Sequence, residues 1–173
     1  MGFIEAVKTC LIEKPVTMQG RAPRSEYWWY FLFQMILVGG MSAYNYAAMT
    51  AGPEAAALQG GPLSLAILAV GTVLIIPAWS VSVRRMHDRG RSGLWIAPLF
   101  LYNIVTSLMQ IYIQTTGDFS LMLDGAVVLG IGGMIFGLGA LVMIVYFMFR
   151  GTPGPNAYGP DPLGAQADAE IFA

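Results

Sequence analysis

The sequence has few charged residues, one cysteine and one histidine, and each scarcity excludes a class of protein. Of its 173 residues, 11% are charged and 56% are hydrophobic, whereas a soluble domain carries about 25% charged residues. So few charges cannot cover a soluble surface, and disordered chains have the opposite composition. A single cysteine excludes a disulfide framework, and one cysteine with one histidine cannot complete a zinc site. We therefore predict a membrane protein without disulfides, bound metal or other cofactor.

Four long stretches of the sequence carry no charge. They lie between Glu26 and Glu54, between Glu54 and Arg84, between Arg91 and Asp118, and between Asp124 and Arg150. Each stretch exceeds the roughly 20 apolar residues that cross a hydrocarbon core of about 30 Å. The sequence therefore predicts an all-α fold, an integral membrane bundle of four transmembrane helices. The predicted spans are residues 27–49, 63–83, 94–113 and 125–149.

The positive charges are sorted by position in this four-span scheme. All of them lie in the N-terminal segment, in the loop between the second and third spans, or after the fourth span: Lys8, Lys14, Arg21, Arg24, Arg84, Arg85, Arg89, Arg91 and Arg150. The other two loops carry only Glu54, Asp118 and Asp124. Because cytoplasmic loops are enriched in lysine and arginine, we predict that both termini are cytoplasmic.

The segments outside the spans form two further predicted regions. Residues 1–26 are a cytoplasmic segment that begins with a short amphipathic helix at the membrane interface. Its apolar residues recur at helical spacing: Phe3, Ile4, Val7 and Leu11. Residues 150–173 are predicted to be a cytoplasmic Gly/Pro-rich motif followed by a flexible tail from Leu163 onward.

The third predicted span carries a row of uncharged polar residues. Their spacing places them along one helix face: Asn103, Thr106, Ser107 and Gln110. Such groups need partners in hydrocarbon, so we expect the face to look into the bundle and form interhelical hydrogen bonds. A hydrated solute path is the alternative, and the absence of a charged residue within the span weakens it.

The fourth predicted span contains glycines at helical spacing. They are Gly130, Gly133 and Gly137, and the last two form a GxxxG pair. Such a pair lets two helix backbones approach closely. The pattern fits packing within the bundle and packing against another copy equally well.

Pro77 lies inside the second predicted span. Because proline has no N–H to offer the carbonyl of Val73, we predict a kink there. Ser80 and Ser82 are the candidates to satisfy the freed backbone group or nearby polar groups.

Residues 84–93 hold the densest cluster of charged side chains. Four guanidinium groups lie close together in it: Arg84, Arg85, Arg89 and Arg91. Fork-like donors just before a helix start suit an anion, above all phosphate. Two other interpretations stay open, a positive-inside anchor that reaches lipid headgroups and a protein-docking surface. His87 and Asp88 have no evident partner nucleophile, so the sequence favours a protein that is not an enzyme.

Three motifs in this order resemble one known family. Gly20–Trp28 resembles the opening "GRxxRxEYW", Arg84–Trp95 the central "RRxHDxGRSGxW", and Gly151–Pro162 the closing "GTPGxNxYGPDP" of the bacterial inner-membrane family called domain of unknown function 805. The resemblance covers essentially the whole chain. It implies a small multi-span protein of the bacterial inner membrane, and it carries no established biochemical activity.

All three motifs adjoin a span end on the predicted cytoplasmic side, and we expect them to form one assembly, the polar cap. In it, carboxylates act as counter-charges: Glu26, Asp88 and Asp161. The Gly/Pro-rich segment 151–162 folds back under the bundle, held by Tyr158. The predicted anion-binding or partner-binding residues of the polar cap are Arg21, Arg24, Arg84, Arg85, His87, Arg89 and Arg91.

These observations predict a non-enzymatic accessory or assembly subunit of the inner membrane. Its partners are expected to be the membrane, an anionic phospholipid, and either a larger membrane complex or further copies of itself, with no nucleic acid. One alternative is a small channel or transporter that uses the polar face of the third span. A second alternative is an enzyme that acts on phosphate-bearing lipid.

Overall fold

The computed structural model describes residues 1–50, 52 and 61–164. These residues are helical and, apart from an isolated bridge between Asn156 and Gly159, contain no β-structure, which confirms the predicted all-α class for them. The helices are α1 (Phe3–Lys8), α2 (Arg24–Thr50), α3 (Pro62–Val73), α4 (Ile75–Asp88), α5 (Ala97–Thr116), α6 (Ser120–Asp124) and α7 (Ala126–Met148). A π-helical turn, Thr9–Glu13, continues α1, and a 3₁₀ turn, Gly93–Ile96, leads into α5. The predicted flexible tail lies, from residue 165 onward, outside the described residues.

Three helical runs in the described part of the chain are long and apolar enough to cross a membrane. They are Pro62–Asp88, which joins α3 and α4, Gly93–Thr116, and Ala126–Met148. The other predicted span, residues 27–49, lies within α2, whose 27 residues exceed the roughly 20 that a crossing needs. Its tyrosines and tryptophans and the amides of Gln34 and Asn45 lower its hydropathy relative to the other three runs.

The second apolar run continues further than the sequence predicts. Arg84 and Arg85, which the charge pattern places in a loop, lie in the last turns of α4 and are fully buried. The helix accommodates these charges because Glu26 and Asp88 are paired with them. It ends beyond Asp88, where Gly90 takes a left-handed φ of +69°.

The second apolar run is interrupted close to Pro77, where the sequence predicts a kink. The helix is interrupted at Leu74, between α3 and α4. Here the amide of Ala78 lies 3.4 Å from the carbonyl oxygen of Leu74, which is long for a helical hydrogen bond. The side chain of Gln34, from α2, donates to the same oxygen at 3.1 Å. Thus a side chain of a neighbouring helix donates a hydrogen bond to the backbone at this interruption.

The two serines after the interruption bond to nearby polar groups, the second of the two predicted possibilities, and not to the carbonyl of Val73. Ser80 donates to the carbonyls of Lys14 at 3.0 Å and Thr17 at 2.7 Å. Ser82 donates to the carbonyl of Ala78, one turn earlier in its own helix, at 2.7 Å. Buried Ser80 therefore fastens the N-terminal segment to α4.

The N-terminal helix packs on the bundle through small residues. Ala6, Thr9 and Cys10 are buried, whereas Ile4 and Ile12 are 81% and 72% exposed. The helix thus turns its small face inward and leaves large apolar side chains outside. That arrangement suits a helix lying at a membrane interface.

The buried core lies at one end of the molecule. It joins the N-terminal segment, the start of α2, the end of α4, the start of α5 and the end of α7 through Cys10, Ala22, Tyr27, Tyr30, Val81, Val83, Met86, Ile96 and Phe147. Away from this end, many apolar side chains of α5 and α7 are exposed. The polar cap is built on the buried end.

Candidate functional site

The three sequence motifs meet through backbone hydrogen bonds. The amide of Ala22 donates to the carbonyl of Arg84 at 3.0 Å, and the amide of Thr152 donates to the carbonyl of Asp88 at 2.8 Å. The start of α2 and the segment after α7 are therefore both tied to the end of α4. This places the polar cap at a single location, with α4 at its centre.

Arg21 is the residue that joins all three motifs. Its Nε donates to Asp88 Oδ1 at 3.0 Å, and its two terminal nitrogens donate to the carbonyls of Thr152 at 2.6 Å and Gly154 at 2.7 Å. The Asp161 carboxylate lies 4.0 Å away. Because only 1% of the Arg21 side chain is exposed, its charge is neutralised by groups inside the protein.

Arg85 and Asp88 form a second buried ion pair, one turn apart in α4. The guanidinium of Arg85 also donates to the carbonyls of Phe147, at 3.0 Å, and Phe149, and lies 3.4 Å from the carbonyl of Ala22. The carbonyls at the end of α7 have no helical partners of their own. Arg85 therefore caps α7 from inside the protein.

Arg84 points to the other side of α4 and pairs with Glu26. The thiol of Cys10 lies 3.9 Å from the same carboxylate. Burial, and after it the charge of Glu26, raise the pKa of the Cys10 thiol to about 12. The thiol is therefore protonated at neutral pH and does not serve as a nucleophile.

Gly151 is the point of closest approach between the closing motif and α4. A Cβ atom at this position would lie 2.1 Å from Asp88 Oδ2. Further along, Asp161 accepts hydrogen bonds from the amides of Leu163 and Gly154, both at 3.0 Å. These amides, with the charge of Arg21, hold the pKa of the Asp161 carboxyl below its usual range. The closing motif is thus an ordered loop with an ionised carboxylate at its base.

His87 holds the outer edge of the closing motif. Its ring stacks on the ring of Tyr158, with centroids 3.9 Å apart and planes 6° apart. Its Nδ1 lies 3.2 Å from the carbonyl of Gly20, and its own carbonyl accepts from the side chain of Asn156 at 3.0 Å. The imidazole is engaged with groups other than the neighbouring carboxylate of Asp88, so these two side chains are not arranged as an acid–base pair.

The remaining predicted arginines lie on the outer rim of the polar cap. Arg24 is exposed and has one long contact, 3.5 Å to the carbonyl of Met148. The guanidinium of Arg89 lies over the ring of Tyr146, 4.6 Å from its centroid. Arg91 is exposed, and within the described residues no carboxylate pairs with it. The predicted binding set therefore divides into three buried arginines and three outer ones.

The polar residues predicted on one face of the third span form hydrogen bonds other than those expected. Asn103 and Thr106 donate to carbonyls of their own helix, those of Leu99 at 2.9 Å and Tyr102 at 3.0 Å. The expected interhelical hydrogen bonds are therefore wrong for these two residues. Short polar side chains satisfy themselves in this way against the preceding turn.

The face is also divided between two clefts beside α5 and α7, the first of which reaches α2 and α4 as well. Asn103 lines one of about 360 Å³, and Thr106 and Gln110 line another of about 360 Å³. Ser107 is half-buried. Most of the other residues that line these clefts are apolar.

The glycines of α7 differ in their surroundings. A Cβ at Gly133 would lie 3.0 Å from the hydroxyl of Tyr102, whereas a Cβ at Gly130 or Gly137 would meet nothing within 4 Å. The Tyr102 hydroxyl donates to the carbonyl of Leu129 at 2.9 Å. Gly133 thus allows close packing of α5 on α7 within one chain, and the other two glycines leave an open surface.

Several residues of the site are not among those predicted from the sequence. Gln34, Thr152 and Asn156 all bond to backbone groups of other elements. An asparagine and a threonine inside a Gly/Pro-rich segment are a usable signal, because both residue types commonly bind nearby backbone. The contact of Cys10 with Glu26 has no such signal.

Comparison with known proteins yields one family and several relatives. Residues 15–160 match the family described as "Protein of unknown function (DUF805)". The chain is 28% identical over 154 residues to inner membrane protein YhaH of Escherichia coli (strain K12), covering 88% of this chain and 92% of that protein. It is 29% identical over 152 residues to inner membrane protein YhaI of the same strain, covering 88% and 91%. No solved structure matches it.

Proposed function

This chain belongs to the family of proteins of unknown function DUF805, and we propose that it is a non-enzymatic accessory subunit of the bacterial inner membrane. In this proposal its polar cap is a rigid cytoplasmic platform, and the outer arginines of the platform bind anionic lipid headgroups. The relatives named inner membrane proteins and the three apolar helical runs support the location.

The observation that carries the proposal is that some arginines of the polar cap are buried and others are exposed. Arg21, Arg84 and Arg85 are buried and paired with carboxylates. Buried charges that are paired in this way hold a structure in one arrangement. The buried arginines of the motifs thus serve a structural purpose, whereas Arg24 and Arg91 of the same motifs are exposed to meet a ligand.

A four-span topology with both termini in the cytoplasm is part of the proposal. The start of α2 and the end of α7 lie together, since Arg24 reaches the carbonyl of Met148. The end of α4 lies at the same place. With α2 as the first span, all nine positive charges fall on one side of the membrane, as the positive-inside rule requires.

Open surface on α7 supports the accessory role. Many of its large apolar side chains are more than half exposed, among them Leu138, Leu141 and Val142. Gly130 and Gly137 lie on this helix and line the open clefts beside α5. Small residues on an open helix surface allow close approach of another membrane helix.

Native mass spectrometry of the gently extracted protein tests the lipid-binding proposal. We expect anionic phospholipid to be retained in preference to the zwitterionic phospholipid of the same membrane. We also expect the retained lipid to keep its mass on prolonged incubation, because the polar cap offers no activated nucleophile. Equal retention of both lipid classes, or turnover of the bound lipid, would contradict the proposal.

A further inference from the structure

We infer that the polar cap carries two separate binding sites for anionic phospholipid, each built on the same short sequence pattern. This inference rests on the proposed function and assigns the lipid binding to specific residues. The pattern is Arg-Ser-x-x-Trp, and it occurs at residues 24–28 and at residues 91–95. Arg24 is the first residue of α2, and Arg91 lies two residues before the 3₁₀ turn Gly93–Ile96.

The structure gives each copy of the pattern a cleft. Arg24, Ser25 and Trp28 line one of about 390 Å³ together with Met148. We call it the first interfacial cleft. Its wall is apolar apart from the arginine and the serine.

The second copy lines a cleft of the same kind. Arg91 and Trp95 line it together with Met86, Met143 and Tyr146, and its volume is about 260 Å³. We call it the second interfacial cleft. Each cleft thus combines one guanidinium, one indole and at least one methionine from α7.

The two clefts lie on different flanks of α7. Met143 belongs to the second cleft and Met148 to the first. Five residues at 3.6 residues per turn separate two side chains by about 140° around a helix. A ligand in one cleft therefore does not occupy the other.

The chemistry of both clefts fits a phospholipid better than a soluble anion. A guanidinium binds phosphate oxygens with paired hydrogen bonds, and Arg24 and Arg91 are exposed at the mouths of the clefts. Tryptophan and methionine offer an apolar, adaptable wall for the first part of an acyl chain. Trp95 is 68% exposed, although a soluble surface rarely leaves so large a ring uncovered beside a free charge.

The other arginines of the two motifs that carry the pattern do not compete for this ligand, whereas Arg150, outside these motifs, is exposed. Arg21, Arg84 and Arg85 are buried, and Arg89 is stacked on Tyr146 and bonded to the carbonyl of Arg150. Within the described residues, the free guanidiniums of the two motifs are thus the two that line the interfacial clefts.

Titration with phosphatidylglycerol, followed by native mass spectrometry, tests the assignment. We expect two molecules to bind the wild-type protein. Arg24→Gln and Arg91→Gln should each weaken one of the two binding events by roughly fivefold, the effect of one basic residue near an anionic headgroup. The double variant should lose affinity at both sites. Lys14→Gln, which removes an exposed positive charge away from both clefts, is the matched control and should bind like the wild type.

Two further arms separate the possible outcomes. Arg24→Lys and Arg91→Lys keep the charge and should retain most of the binding, and melting temperatures will show that all variants are folded. Glycerol phosphate should fail to displace the lipid, because it lacks the acyl chains; efficient displacement would overturn the role of the apolar walls. If the wild type binds no phosphatidylglycerol, the proposed lipid-binding function itself fails. If it binds two molecules that neither glutamine variant weakens, only the assignment to these clefts fails.

Discussion

Asp88 is the residue on which the most contacts of the polar cap converge. Its carboxylate pairs with Arg21 and Arg85, and its carbonyl accepts from the amide and the hydroxyl of Thr152. The carboxylate is almost fully buried, as are both guanidiniums. Arg85 therefore depends on Asp88 for its negative partner, and Arg21 has only the more distant Asp161 besides it.

At this scale we predict that Asp88→Asn destabilises the protein by about 3–5 kcal/mol, the range observed when one member of a buried ion pair is removed. The amide keeps the shape of the carboxylate but leaves Arg85 without a counter-charge and Arg21 with only Asp161, 4.0 Å away. Thermal unfolding of the purified protein in detergent measures the loss. Asp124→Asn is the control, since Asp124 is exposed. A melting temperature of Asp88→Asn equal to that of the control would contradict the prediction.

At the scale of the helices, the interruption between α3 and α4 is coupled to α2. Pro77 interrupts the backbone pattern of the second apolar run, and Gln34 approaches from α2 to bond the carbonyl of Leu74. The Tyr30 hydroxyl lies 2.8 Å from the same amide group and keeps it in place. The carbonyl of Leu74 therefore accepts one long bond from the amide of Ala78 and a second bond from the neighbouring helix.

We predict that Gln34→Leu costs about 0.5–1.5 kcal/mol, the net value of a typical hydrogen bond. The loss should shrink in a Pro77→Ala background, because a straightened helix shortens the existing 3.4 Å bond from the amide of Ala78 to the carbonyl of Leu74. A double-mutant cycle on unfolding free energies measures this coupling. Gln110→Leu, on α5, provides the comparison for exchanging a glutamine for leucine. Equal losses in both backgrounds would show that Gln34 acts independently of the kink.

At the scale of the whole molecule, the polar cap closes the bundle at one end. It gathers the start of α2, the end of α4 and the segment after α7, which are far apart in the sequence. The buried core lies directly beneath it. The opposite ends of the helices carry the acidic residues Asp118 and Asp124, so the molecule is electrically polarised along its length.

We predict that this polarity matches the membrane, with α2 as a true span. In a Cys10→Ser background, Thr50→Cys should react with a membrane-impermeant maleimide in intact spheroplasts. Lys14→Cys should react only after permeabilisation. Both positions are exposed, and Lys14 precedes the start of α2 whereas Thr50 is its last residue. The reverse pattern, or protection of both positions, would contradict the four-span topology.

Much of the fold could be predicted from the sequence because it depends on local properties. Charge-free stretches predict apolar helices whatever their partners, and Pro77 predicts a break because its ring lacks an N–H. The three motifs indicate a common location, since each adjoins a predicted span end. The end of α4 was missed by several residues, because Arg84 and Arg85 look like loop charges until their partners are known.

The candidate site depends on pairings that sequence spacing does not encode. Arg85 pairs with Asp88 three residues away, but Arg84 pairs with Glu26 and Arg21 with Asp88, across long separations. Asn103 and Thr106 bond to their own helix, a choice that hydrocarbon surroundings alone do not dictate. Nor does the sequence say which of the arginines are buried.

The sequence by itself determined the helical class, the family and the positions of the apolar runs, because these follow from composition and from short motifs. Tertiary structure alone decided which charges neutralise one another and which stay free. The physical reason is that burying a charge is favourable only when an opposite charge and hydrogen-bond partners arrive together. Those partners come from distant parts of the chain, so Arg21, Arg84 and Arg85 become structural while Arg24 and Arg91 stay at the surface.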